Sequence, residues 1–190
     1  LTRFKLLLIL FPLTNCAAQR NHEYMNFSKS IQHIPISFDP AQGGEISEGF
    51  NDFSVEIRKL LQGVSGSSPY LKSLIEKESH WLKAAFDAPE TCLVQEFKNL
   101  SNGAHDALAK ALRQAKRRVA LWTALCDLSG IWSLEQVTHC LTEFADLSVS
   151  LALKDALTVQ LARTKLPVHT AVSEPDQLGM FVLAMGKMGA

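Results

Sequence analysis

Gly186-Lys187-Met188-Gly189 sets two small residues around a single cation, an arrangement able to meet a phosphate. Glycine lets the backbone N–H groups approach an anion closely, and the lysine brings charge. A Walker-type phosphate loop needs G-x-x-x-x-G-K followed by Ser or Thr, whose hydroxyl helps bind magnesium. Here Phe181 stands at the first glycine position and Met188 replaces the hydroxyl residue, so the stretch is not that loop. The G-x-G-x-x-G fingerprint of dinucleotide sites is absent as well. On chemistry alone the stretch is an ordinary turn after a strand or a weak phosphate contact. Gly186, Lys187 and Gly189 are therefore the candidate cofactor-binding residues.

The other groups that could react are more dispersed. Lys110, Arg113, Lys116, Arg117 and Arg118 form a basic run beside an apolar stripe. Long cations in such a pattern decorate a wet helix face, or else they meet phosphates or an acidic partner. Asp127 and Asp146 are separated by a turn and most of a helix, a spacing that does not make a paired-carboxylate site. Cys16, Cys92, Cys126 and Cys140 contain no C-x-x-C pair and read as structural thiols. No H-E-x-x-H or Cys/His cluster marks a zinc site, and Trp81, Trp122 and Trp132 read as core residues.

Helices must position these groups. Phe50, Phe53, Ile57, Leu60, Leu61 and Val64 form one apolar stripe, with Gly63 and Gly66 at its end. Ser68-Pro69 starts a helix, because serine caps free N–H groups and proline at the first position lacks one. A short face follows at Trp81, Leu82, Ala85 and Phe86, and Pro89 opens a helix carrying Leu93, Phe97 and Leu100. The longest clear period predicts a helix over 105–128, ended by Ser129-Gly130. Ser133 and Gln136 then form a capping box for a last helix reaching about Leu161. Beyond Pro167 and Pro175 the period changes: Met180 to Met185 is a continuous apolar run, as in a strand buried on both faces.

This gives an organisation of four parts: a signal-like or disordered lead-in (1–46), a helical region (47–163), a linker (164–178) and a strand with its turn (179–190). Hydrophobic residues make up 47% and charged residues 20%, a globular balance. Net charge is zero, so no global field draws the chain to nucleic acid or an anionic membrane. The start is basic, then apolar from Leu6 to Leu13, then small around Cys16, which resembles a secretory leader or a lipid-anchor site. The apolar core is too short to span a bilayer, and Asn15 fits poorly before a lipidated cysteine. A non-native upstream extension or a fragment boundary is the preferred reading, and a chain begun near Ser47 is then expected to fold as the whole does.

Leu178-Gly179-Met180-Phe181-Val182-Leu183-Ala184-Met185-Gly186-Lys187-Met188-Gly189-Ala190 resembles the strand-and-turn signature of glutamine-synthetase adenylyltransferases. In that family G-M-G-K-[LM]-G-[GA] runs into E-L-N-x-x-S-D-I-D-L, whose aspartates hold magnesium. The run from Leu112 to Leu121, Cys126-Asp127-Leu128-Ser129-Gly130, and Thr142-Glu143-Phe144-Ala145-Asp146 are similar to the family's basic helix and the helix after it. Ser68-Pro69-Tyr70-Leu71 resembles its S-P-[FY]-L. Cys126 and Glu143 depart from the more usual residues.

The resemblance implies a mainly α fragment, a helical lead-in entering the first strand of an α/β nucleotidyltransferase domain. The parent would be a cytoplasmic enzyme that removes AMP from a tyrosine of glutamine synthetase by phosphorolysis and adds AMP from ATP. Magnesium and ATP or ADP would be its cofactors. Glutamine synthetase and a nitrogen-signalling regulatory protein would be its partners, with no role for nucleic acid or a membrane. The catalytic and metal-binding residues would fall past Ala190, so these 190 residues alone are expected to be inactive. The alternative is a non-catalytic helical interaction module, secreted and lipid-anchored through Cys16.

Overall fold

A computed structural model describes residues 26–103, 107–163 and 182–183. The described residues form α1 (Phe27–Ser30), α2 (Pro40–Glu48), α3 (Val55–Ser67) and α4 (Pro69–Lys77), then α5 (Ser79–Asp87), α6 (Cys92–Ser101), α7 (Leu108–Leu128) and α8 (Leu134–Arg163). The fold is mainly helical, as expected.

Side chains written into the sequence start several of these helices. Ser68 Oγ accepts from Leu71 N at 3.3 Å, and Pro69 occupies the first turn of α4. The capping box of α8 is reciprocal: Gln136 N donates to Ser133 Oγ at 3.4 Å, and Ser133 N donates to Gln136 Oε1 at 2.9 Å. Asp39 caps α2 through Ala41 N and Gln42 N, both at 3.1 Å. Gly130, at φ +70, ends α7 in the left-handed region, where a side chain would be strained. The turn at Gly130 lets α8 fold back against α7, and Phe144 stacks on Phe97 at 6.2 Å.

The lead-in expected to be loose over 1–46 is, from residue 26 onward, part of the folded body. Phe27 is only 2% exposed and meets Phe86 at 5.0 Å and Trp122 at 5.1 Å between ring centroids. Gln32 N and His33 N donate to Ser129 O, tying the segment to the end of α7. It then crosses α3, where Asp39 N donates to Gly66 O at 2.8 Å and Ser67 Oγ donates to Ile36 O at 2.9 Å. Gly63 and Gly66 do not end α3, which runs on to Ser67. They lie under this crossing: a Cβ at Gly63 would strike Pro35 O, and one at Gly66 would strike the Ser37 side chain. Polar composition and two prolines concealed this packing, because its anchors are single residues rather than a periodic stripe. A chain begun at Ser47 would lack Phe27 and Ile46 from the core.

Two boundaries also differ from the periodicity. Phe50 and Phe53 precede α3 and are not helical there, yet Phe50 is buried and Phe53 packs against the core. Pro89 belongs to the turn before α6, which starts at Cys92. Trp122 lies at the centre of the core at 1% exposure, and Trp81 and Trp132 pack against it, as the sequence reading expects. Cys126 and Cys140 are buried thiols.

The linker over 164–178 lies outside the described residues, as do residues 1–25 with Cys16. So does the strand with its turn, except Val182 and Leu183, which are exposed and in no regular element. Among the described residues no helix is long and apolar enough to cross a membrane.

Candidate functional site

The basic run on α7 divides into two sets of cations with different surroundings. Arg117 and Arg118 point at Glu78, the residue joining α4 to α5, which is 4% exposed. Glu78 Oε1 accepts from Arg117 Nε at 2.6 Å, and Oε2 accepts from Arg118 Nε at 3.0 Å. Arg118 Nη1 also donates to Glu96 Oε2 at 2.8 Å, and its guanidinium lies 5.5 Å from the Trp81 ring centroid. A buried carboxylate is costly unless paired and hydrogen-bonded. Here each of the two carboxylates has a cation, and the network ties α6 and the α4–α5 junction to α7. Arg117 and Arg118 thus do more than decorate a wet face.

Arg113, Lys116 and Arg117 share one face of α7 at helical spacing. Across from them, α4 presents Tyr70, Ser73, Leu74 and Lys77, also one stripe. Together they line an open groove of about 320 Å³. Among the described residues, no carboxylate pairs with Lys77, Arg113 or Lys116. The groove therefore carries local positive charge in a chain of zero net charge. Chemically it can bind an anion; it offers no nucleophile beside a general base.

Gly186, Lys187 and Gly189 lie outside the described residues. Asp127 and Asp146 are exposed on different helices, and no group of three His, Cys, Asp or Glu among the described residues could hold a metal ion. The polar side chains around the groove are cations, a hydroxyl and a phenol, a set that does not fit magnesium. Glu78, Glu96, Tyr70 and Lys77 escaped the sequence reading as parts of one arrangement. A signal existed for one of them: Glu96 falls on the stripe of Leu93, Phe97 and Leu100, where a carboxylate must find a cation. Glu78 sits at a helix junction, where no periodicity marks it.

The sequence profile described as "Glutamate-ammonia ligase adenylyltransferase" matches residues 58–190, which hold both the carboxylate network and the groove. The chain belongs to this family. Among its curated relatives is the bifunctional glutamine synthetase adenylyltransferase/adenylyl-removing enzyme of Rhodopseudomonas palustris (strain TIE-1), 34% identical over 161 residues. That alignment takes in 82% of this chain but 16% of the relative. The enzymes of the same description from Bradyrhizobium sp. (strain ORS 278) and Caulobacter vibrioides are 38% and 33% identical. Those alignments cover 70% and 68% of the chain, and 14% of each relative. The chain thus spans about a sixth or less of the length of the curated relatives it matches. No solved structure matches it.

Proposed function

We propose that the chain is the N-terminal helical part of an enzyme that removes AMP from, and adds AMP to, a tyrosine of glutamine synthetase. The observation that carries this reading is the family match over residues 58–190, which takes in most of the described helices and Gly186, Lys187 and Gly189. The two activities are those named for the R. palustris relative. Removal would proceed by phosphorolysis and addition from ATP, in the cytoplasm, under a nitrogen-signalling regulatory protein. Magnesium, when bound, would polarise the phosphoryl oxygens. In this reading its carboxylate ligands come from sequence following Ala190. Gly186, Lys187 and Gly189 would form the turn that leads to them.

The share of the helical body is positional. Phosphoryl transfer depends on holding groups in line and neutralising charge, and a packed helical body can serve that end. In this reading the 190 residues by themselves are expected to carry out neither reaction. Reading the encoding gene past the codon for Ala190 tests the assignment. Glu-Leu-Asn followed by a Ser-Asp-x-Asp word is expected; a different continuation without paired aspartates would overturn it.

A further inference from the structure

We propose that the groove between α4 and α7 is a binding site for a polyphosphate group. Its geometry, rather than family membership, carries the inference. Lys77 stands on one wall, and Arg113 and Lys116 stand on the other, with no carboxylate partner among the described residues. Arg117 completes the cationic set in a fixed pose. Its Nε is committed to the buried Glu78 at 2.6 Å, while its side chain stays 37% exposed. An arginine anchored through Nε keeps its two terminal nitrogens for another ligand, and that planar pair matches two oxygens of one phosphate. Ser73 adds a hydroxyl.

Size and outline favour a compact anion over a protein segment. The groove holds about 320 Å³ between a nine-residue helix and the facing stripe, enough for a chain of phosphates. Tyr70, 59% exposed at the rim, offers a ring against which a nucleobase could stack. The phosphates could therefore come from free polyphosphate or from a nucleoside triphosphate, and the two sources differ in whether Tyr70 contributes.

Titration calorimetry on the 190-residue chain without added metal tests this, using sodium tripolyphosphate, ATP and a short poly-glutamate peptide. Tripolyphosphate and ATP are expected to bind, and Arg113→Ala/Lys116→Ala is expected to weaken both at least tenfold. Lys59→Ala/Lys98→Ala removes two exposed cations outside the groove and should change affinity less than twofold. If ATP binds more tightly than tripolyphosphate and Tyr70→Ala abolishes the difference, the ligand is a nucleotide. Equal affinities make it a polyphosphate, and the proposal stands either way. Absence of binding at millimolar ligand overturns it, as does equal weakening by the two double variants. Tighter binding of poly-glutamate than of tripolyphosphate would reassign the groove to an acidic protein partner. None of these outcomes bears on the gene's continuation past Ala190, so the family-based reading is tested separately.

Discussion

Glu78 and Arg117 meet at 2.6 Å across the junction of α4, α5 and α7, with the Glu78 side chain 3% exposed and the Arg117 side chain 37%. One residue is structural and the other reaches from the core into the groove, so a stability element and a candidate ligand contact share a single hydrogen bond. Arg118 takes the second oxygen of Glu78 and passes the link on to Glu96.

Breaking that link should be costly. Glu78→Ala leaves two arginines without their carboxylate, and removing one partner of a buried pair costs about 3–5 kcal/mol. Both arginines reach water in part, so a loss near the lower end, about 3 kcal/mol, is expected in urea unfolding. Arg113→Ala, exposed on the same helix, should stay within about 0.5 kcal/mol of the parent chain. Equal effects would show that Glu78 is not held as described.

The crossing of residues 35–39 over α3 makes a paired glycine prediction. Gly63→Ala places a methyl against Pro35 O and should destabilise by more than about 1 kcal/mol. In α2 nothing lies within 4 Å of a Cβ at Gly44, so Gly44→Ala should stabilise by about 0.5–1 kcal/mol. Thermal midpoints moving in opposite directions are the expected result.

Phe27 tests the same segment from the core side. Phe27→Ala removes a ring packed on Phe86 and Trp122 and should cost about 3–5 kcal/mol. A chain begun at Ser47 should lose at least as much. Unchanged midpoints for both would return residues 26–46 to a loose lead-in.

Cys92 and Glu135 each make a pH prediction. Burial pushes the Cys92 thiol up from 9.0 to about 12, so the folded state disfavours the thiolate. Its contribution is complete below pH 9.0 and is lost as pH rises toward about 12; Cys92→Ala should flatten that alkaline decline. At the other end, the backbone N–H at the start of α8, then Ser133, hold the Glu135 carboxyl below its ordinary 4.5. That contribution is present above pH 4.5 and is lost as pH falls through the lowered value, so Glu135→Gln should flatten the acid limb. Urea midpoints measured across pH for each variant against the parent chain check both.

What could be read from the sequence followed from what repeats. Stripes such as Leu71, Leu74 and Ile75, and caps such as Ser68 and Ser133, announce themselves through spacing, and the structure has them as expected. Single-residue anchors do not repeat, so Phe27 in a polar stretch and the glycines of α3 escaped notice. The groove was half legible: the α7 cations stood out as a run, but Tyr70 and Lys77 join them only once α4 packs across α7. Lys187 stood out by its motif, and its surroundings lie outside the described residues.

Release of ADP from adenylylated glutamine synthetase is the measurement that bears most directly on the central claim. The protein encoded by the complete reading frame should release ADP when given phosphate and magnesium, and the 190-residue chain alone should not exceed a no-protein control. Failure of the complete protein to release ADP, or turnover by the 190 residues alone, would contradict the account.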